Sequence, residues 1–200
     1  RERFDRMDGV WRLRLRLGLW AAFEGAVFTE WNAAERIVEP PAEWRAWGDL
    51  PPPDWPRIRG IDLGYYPDPF VCQWWAKEPS RERFYRYREK YELRKIVELH
   101  AREIVEAERQ EMETLRACAI ENGREKDYAS QLAEFNLVAS FSDHHRGERE
   151  TLDHHGVWSQ PANKDVLDGI QTLMGMMRKD ETSAQMFLVK GALEERDREL

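Results

Sequence analysis

Two aspartates stand in runs that are otherwise apolar and strand-like. Asp62 lies inside IRGIDLGYY, and Asp143 closes NLVASFSD. Burying an unpaired carboxylate is costly, so such an aspartate usually has a hydrogen-bonded structural role or binds a cation. Carboxylate oxygens suit Mg²⁺ or Mn²⁺, and two such ions about 4 Å apart can support phosphodiester cleavage. The pair therefore favours a divalent-metal site, beside the alternatives of a turn-amide contact for Asp62 and a helix N-cap for Asp143.

Weaker candidates for the same site are also polar residues. Glu89 shares a strand face with Tyr87 and Tyr91 by parity, so it can point at the site, although a solvated surface position is favoured because charged strand residues usually face water. The remaining candidates are His144, Lys164 and Asp168. For the last two, a capped and solvated first helical turn is the simpler interpretation.

The two histidine pairs, His144-His145 and His154-His155, raise the possibility of zinc. Adjacent histidines point in different directions, and no cysteine lies near them in the sequence to complete a tetrahedral set. Zinc is therefore disfavoured.

A basic and aromatic stretch between residues 81 and 95 is the best candidate for contact with nucleic acid. Its predicted DNA-binding residues are Arg81, Arg83, Arg86, Arg88, Arg94 and Lys95. Phosphate contacts from such residues would carry little sequence preference and would weaken with salt. The alternative is a charged strand face that prevents edge-to-edge aggregation.

Composition limits the function classes. The chain has 200 residues, 42% of them hydrophobic, and a formal net charge of -7. This length suits one core, and the acidic balance means that DNA binding would need a local basic patch. No stretch has the roughly 18 apolar residues of a membrane helix, so we expect a soluble cytosolic protein with no membrane partner. The two cysteines lack the spacing of a zinc or redox site and are expected to be reduced core residues.

The order of elements predicts a fold class. Three strand candidates separated by short turns suit an antiparallel meander: RIRGIDLGYY, PFVCQWWAK and RFYRYREKYEL. A long helix ending at Asn122-Gly123 follows, and then strands alternate with helices, the last predicted helix being ALEERDREL. This is the order of the RNase H-like fold: an α/β fold with a mixed sheet of five or more strands, a three-strand antiparallel meander plus parallel strands, and helices on both faces.

Several ordered blocks also resemble one family, the C-terminal nuclease domain of the large terminase subunit of tailed bacteriophages and prophages. The resemblance covers nearly the whole chain and rests on these blocks: RLRLRLGLWAAFEGAVFTEW, RGIDLGYYPDPFVCQWWA, RFYRYREKY, SDHHRGERETLDHHG and ANKDVLDGIQTLMGMM. It implies a metal-dependent endodeoxyribonuclease that cuts concatemeric viral DNA during genome packaging, in the cytoplasm of a host bacterium. The implied partners are double-stranded DNA, a terminase ATPase domain, the small terminase subunit and the portal protein.

Carried over by position, the resemblance makes Asp62 the first metal-binding carboxylate and Asp143 the second, with Mg²⁺ or Mn²⁺ as cofactor, two ions being expected in the complete domain. His145 stands where the family usually has an acidic residue, which puts a secondary metal contact in doubt. The family's third carboxylate is expected beyond Leu200, so we expect weak or no cleavage by this chain alone. Lys164 is a candidate to hold a DNA phosphate.

The predicted division is residues 1–56, a linker and N-terminal extension from a missing ATPase domain, and residues 57–200, a nuclease domain truncated at its C-terminus. Three alternatives remain. A non-catalytic module of the same fold could bind DNA or portal with an incomplete metal site. A resolvase of the same fold is chemically close. GIDLG also opens actin-like and sugar-kinase ATPases, but the glycine-rich phosphate loop that those proteins need is not found in SFSDHHRGERE.

Overall fold

The computed structural model describes Phe28, residues 30–178 and residues 184–196, with side chains described as far as residue 191. The described residues fall into two compact units. One takes the residues up to Arg36 together with residues 163–186, and the other takes residues 37–162 together with those from Phe187 onward. The predicted boundary at residue 56 stays a prediction, but residues 37–56 lie in the same unit as most of the sheet.

A seven-stranded mixed sheet dominates the second unit. Its strands are β1 (Ile37–Val38), β2 (Arg57–Asp62), β3 (Phe70–Lys77), β4 (Arg83–Glu92), β5 (Leu137–Ser142), β6 (Gln160–Pro161) and β7 (Gln185–Arg196), in the spatial order β1-β7-β4-β3-β2-β5-β6. Strands β2, β3 and β4 pair antiparallel, whereas β5 joins β2, β6 joins β5 and β1 joins β7 in parallel. The predicted meander followed by parallel strands is confirmed.

Helices α2 (Val97–Glu121) and α3 (Arg146–His154) accompany the sheet in the second unit, with a 3-10 helix at Ala42–Trp47. Helices α1 (Ala33–Arg36) and α4 (Val166–Met176) belong to the first unit. Asn122 caps the C-terminus of α2, and Gly123 follows with a φ of 64°, as the sequence predicts. Among the described residues, no helix is both long and apolar enough to cross a membrane.

The core forms where one face of the sheet meets α2. Alternate residues of β3 are buried because successive strand side chains point to opposite faces. Helical spacing brings Ile104, Met112 and Leu115 to the same core. The proline-rich end of the predicted linker, just before β2, also contributes to the core. Its tryptophans are buried and pack edge to face on one another or on a tyrosine, namely Trp44, Trp47 and Trp55.

Charged residues are buried in this same layer. Arg57 and Glu111 are each 1% exposed, and their side chains pair at 3.2 Å between Nη2 and Oε1. Arg57 also donates to the carbonyl oxygens of Pro51, Pro52 and Trp55 at 2.7 Å each. A buried charge is tolerated only when it is paired and hydrogen-bonded, so this network makes the packing of α2 on β2 specific.

Two bulges alter which residues share a face. In β5 the register with β2 shifts between Arg57 and Ile58, which pair with Leu137 and Ala139, so Val138 is the extra residue. In β4 the register with β3 shifts so that Trp74 pairs with Arg88 and Trp75 with Arg86, which makes Tyr87 the extra residue. The bulge in β4 explains why the neighbours Tyr87 and Arg88 are both buried on the core side, which plain alternation does not predict.

Near the end of the chain, one predicted element is wrong. The helix expected from Ala192 onward is strand through Arg196, where β7 ends, and residues 197–200 lie outside the described part. Within the resembling block RLRLRLGLWAAFEGAVFTEW, the structure describes Phe28, Glu30 and Trp31, and these three residues are not in a strand.

Candidate metal centre

Asp62 and Asp143 lie side by side at one end of the sheet. Asp62 is the last residue of β2, and Asp143 follows directly after Ser142, the last residue of β5. The two strands are parallel neighbours, and Ile61 pairs with Ser142 in the register. Each aspartate therefore directly follows one member of the Ile61–Ser142 pair. Since Ile61 and Ser142 are buried toward α2, strand alternation directs both carboxylates to the other face.

The charges of this pair interact. The pKa of Asp62 is raised from its ordinary value, first by partial burial, then by the negative charge of Asp143 and then by that of Asp68. Repulsion between neighbouring carboxylates has this sign because each disfavours ionisation of the other. A cation bound between them would reverse the effect.

Asp143 is held by the residues that follow it. Its Oδ1 accepts a 2.6 Å hydrogen bond from the backbone N–H of His144, whose Nδ1 lies 3.7 Å from the same oxygen. The Nε2 of His145 lies 3.6 Å from Oδ2. The N-cap residue of α3 is His145, so the alternative in which Asp143 caps this helix is wrong. Its carboxylate is oriented by its own loop.

A shallow depression of about 350 Å³ adjoins Asp62. It is lined by Gly60, Ile61, Asp62, Val71 and Gln73. A methyl group added at Gly60 would meet no atom within 4 Å, so the surface above β2 is open there. Such an opening beside Asp62 leaves room for a ligand on this face of the sheet.

Glu89 faces the same side as this depression. It pairs with Gln73 in the register, and its Oε1 accepts a 2.7 Å hydrogen bond from Gln73 Nε2 and forms an ion pair with Arg86. It is 5% exposed, so the favoured expectation of a solvated surface position is wrong. Tyr87 instead contacts Glu111 in the core because it is the bulged residue, and the expected shared face of Tyr87 and Glu89 is wrong too.

Lys164 and Asp168 lie in the first unit, at the start of α4. Asp165 is the N-cap, and its side chain accepts a 3.0 Å hydrogen bond from the backbone N–H of Asp168. Both Lys164 and Asp168 are exposed. Their placement near the metal centre stays a prediction.

Most of the predicted DNA-binding residues have partners within the protein. Arg88 is buried against Glu111 and Trp74, a position from which a guanidinium does not reach a DNA phosphate. The others with carboxylate partners are Arg81 with Glu78, Arg86 with Glu89, and Lys95 with Glu92 and Glu103. Arg83 lies over the ring of Phe187, and Arg94 is exposed over the ring of Tyr66.

Sequence reasoning missed a second group of potential metal ligands. Within the described residues, Glu92, His100 and Glu103 are the one set of three such groups whose ligand atoms all lie within 4.8 Å. Both carboxylates are engaged by lysines, at 2.7–2.9 Å from Lys90 Nζ or Lys95 Nζ. His100 is fully buried on the ring of Phe70, and burial lowers its pKa to about 4. This set functions as an ion-pair cluster that joins the end of β4 to α2.

The sheet defines the class of fold. A three-strand antiparallel meander, flanked on its β2 side by parallel β5 and β6, is the RNase H-like arrangement that the sequence predicts. No protein-family model matches the chain, and neither does any curated protein sequence.

Solved structures give a more specific likeness. The chain is similar to the nuclease domain of the P22 large terminase, with a TM-score of 0.53 and 11% identity over 84% of this chain and 74% of that one. The g2p (large terminase) nuclease domain of bacteriophage SPP1, in a crystal structure with bound Mn, gives a TM-score of 0.37 and 16% identity over 67% of this chain. This chain spans 60% of the SPP1 domain. The predicted resemblance to terminase nuclease domains is thus confirmed for the fold.

Proposed function

We propose that this chain is the metal-dependent nuclease part of a phage-type large terminase, in which Asp62 and Asp143 hold divalent cations for the hydrolysis of DNA phosphodiester bonds. The observation that carries the proposal is the placement of the two carboxylates at adjacent parallel strand ends, where partial burial and then the charge of Asp143 raise the pKa of Asp62. The terminase fold of the P22 domain supports it.

The donor set suits Mg²⁺ or Mn²⁺. Both residues offer carboxylate oxygens, which hard divalent cations prefer, and neither a cysteine nor a buried histidine adjoins them among the described residues. Neighbouring carboxylates that repel one another gain the most from a shared cation. An ion at this place would supply Lewis-acid activation of a phosphodiester and stabilise its leaving oxygen.

The residues of the chain have distinct tasks in this proposal. Asp62 and Asp143 bind the ion, and the backbone N–H of His144 fixes the orientation of the Asp143 carboxylate. Gly60 keeps the surface beside Asp62 open for the phosphate backbone. Glu89, Lys164 and Asp168 are proposed as outlying members of the site.

The remaining parts of the proposal follow from the family. Double-stranded DNA is the substrate, and the ATPase domain, the small subunit and the portal are partners in the cytoplasm of a host bacterium. Metal binding is the more direct test, because it depends on Asp62 and Asp143 themselves.

The test combines Mn²⁺ binding with plasmid nicking. Wild type is expected to bind Mn²⁺, measured by electron paramagnetic resonance of the free ion, and Asp62→Asn and Asp143→Asn are expected to reduce the affinity at least tenfold. Asp127→Asn is the matched control, because Asp127 is exposed and comes before the first residue of β5, whereas Asp143 follows the last residue of that strand. Equal Mn²⁺ binding by all four proteins would refute the metal centre. Mn²⁺ binding with no nicking would favour the non-catalytic module.

A further inference from the structure

An exposed aromatic loop follows Asp62 directly. It connects β2 to β3 and carries Tyr65 and Tyr66, which are 55% and 59% exposed. Large aromatic side chains gain little by facing water, and neighbouring tyrosines at the edge of a candidate metal centre form an unusual surface. Neither tyrosine belongs to the core, although Leu63 at the start of the loop packs against it.

The loop is held in one shape. A methyl group added at Gly64 would lie 2.2 Å from the backbone oxygen of Pro69 and 2.5 Å from that of Asp68, so the chain turns there in a space that only glycine fits. The carbonyl oxygen of Tyr65 accepts a 2.8 Å hydrogen bond from the backbone N–H of Arg94. The loop is therefore joined to the chain segment after β4.

Arg94 is the partner of this loop. Its φ of 58° is in the left-handed region that residues other than glycine seldom adopt, and such strain concentrates at functional sites. Its guanidinium lies 4.5 Å from the centre of the Tyr66 ring. Among the described residues no carboxylate pairs with it. An arginine that stacks on an aromatic ring keeps its N–H donors along the edge of the guanidinium plane, where they can bind an anion.

The sheet brings Arg94 to the same end as the metal centre. Strands β2 and β4 both run antiparallel to β3, so they point in the same direction and their C-terminal residues lie at the same end of the sheet. In the register Asp62 pairs with Val71, and Val71 pairs with Tyr91, three residues before Arg94. A DNA strand whose phosphate reaches Asp62 therefore passes close to this arginine.

We propose that Arg94, oriented by the ring of Tyr66, binds one backbone phosphate of the DNA strand held at Asp62 and Asp143. The inference rests on the proposed function and adds a contact that places the strand. Arg94 would also offset charge repulsion. A polyanion that approaches two carboxylates is repelled by them unless a nearby cation is available to bind it.

Arg94→Gly is the test variant because glycine adopts a positive φ without strain. The variant is expected to fold with an unchanged or raised Tm while it loses the phosphate contact. Binding to a fluorescein-labelled DNA duplex is measured by anisotropy in EDTA over about 50 to 200 mM salt. Losing one phosphate contact reduces the steepness of log K against log salt by about 0.9. The ratio of wild-type to variant affinity should therefore fall about 3- to 4-fold as the salt rises over that range.

Further variants separate charge from orientation. Arg94→Lys keeps the charge and is expected to keep the slope, and Tyr66→Ala is expected to weaken binding with the slope retained. Arg109→Gln is the matched control, since Arg109 is an exposed arginine of α2 already paired with Glu106 and Glu113.

Two results would overturn the inference: a wild-type salt slope in Arg94→Gly, or the absence of DNA binding by wild type. The first leaves the proposed function intact if Mn²⁺ binding still depends on Asp62. If Mn²⁺ binding does not depend on Asp62 while Arg94→Gly still reduces the salt slope of DNA binding, the result would count against the proposed function alone.

Discussion

Asp62→Asn should have opposite effects on stability with and without metal. The raised pKa of Asp62 means that its ionised form is disfavoured in the folded state. This destabilisation is fully present above the folded pKa and disappears as the pH falls through it. At neutral pH without metal, the substitution removes a negative charge that Asp143 and Asp68 repel, so the free energy of unfolding should rise.

The size of the effect follows from the exposure of the site. Asp62 is exposed, so solvent screens the repulsion, and charge pairs of this kind contribute about 0.2–1 kcal/mol. In a 200-residue chain, where 1 kcal/mol shifts Tm by about 2–4 °C, the expected rise is about 0.5–4 °C. Wild type with Mn²⁺ at about 100 times its Kd should gain about 2.7 kcal/mol, or roughly 5–11 °C. The variant should lose most of that gain.

Differential scanning calorimetry in EDTA and in Mn²⁺ measures both effects on the same samples. Asp127→Asn should behave as wild type in both buffers. A lower Tm of Asp62→Asn in EDTA would refute the repulsion between the carboxylates. A full Mn²⁺ shift in this variant would refute its role as a ligand, even if the first result is as expected.

Three more predictions concern the framework of the site. Glu111→Ala should lower the free energy of unfolding by about 3–5 kcal/mol in urea titrations, because it leaves buried cationic groups without their partner. Gly64→Ala should lower both Tm and Mn²⁺ affinity, since its methyl group would collide with the backbone oxygen of Pro69, whereas Gly60→Ala, with open space around the new methyl group, should leave Tm unchanged. His100 should by itself lower the free energy of unfolding by about 3 kcal/mol between pH 6.5 and 4, because this histidine, with a folded pKa of about 4, stays neutral in a range where the unfolded chain takes up a proton.

For Glu111→Ala and for the pH dependence attributed to His100, the control variants keep the shape of the side chain and change its charge. Glu111→Gln retains hydrogen-bonding atoms and should destabilise less than Glu111→Ala, and equal effects would contradict the buried-charge explanation. His100→Phe keeps a flat ring on Phe70 and should flatten the pH dependence of stability relative to wild type. An exposed change, His154→Gln, should not, and a similar flattening in that variant would remove His100 as the cause.

Local patterns were enough to predict the central strands and the long helix. Strict alternation marks β3, the spacing from Ile104 to Leu115 marks α2, and Asn122 with Gly123 marks the end of that helix. These signals lie within a few residues of one another, so no knowledge of distant partners is needed. Asp62 stood out for the same local reason, as a carboxylate in an apolar run.

Features set by distant partners were not predictable in this way. Arg57 and Arg59 face the core because Glu111 and Glu108 of α2, about fifty residues further on, neutralise them. Bulges leave no clear mark in composition, so Tyr87 was wrongly assigned to the same face as Glu89. Beyond Ala192, a run of charged residues typical of a helix forms the end of β7, where pairing within the sheet outweighs local propensity.

The extra residue in β5 has a consequence for which deletions the site could survive. Val138 has no partner in β2, so its removal would close the bulge and leave Ser142 opposite Ile61. Removal of Phe141, which pairs with Gly60, would instead bring Asp143 opposite Ile61, on the buried face of the sheet. A single-codon deletion within the paired part of β5 could thus inactivate the centre while both aspartates remain in the gene.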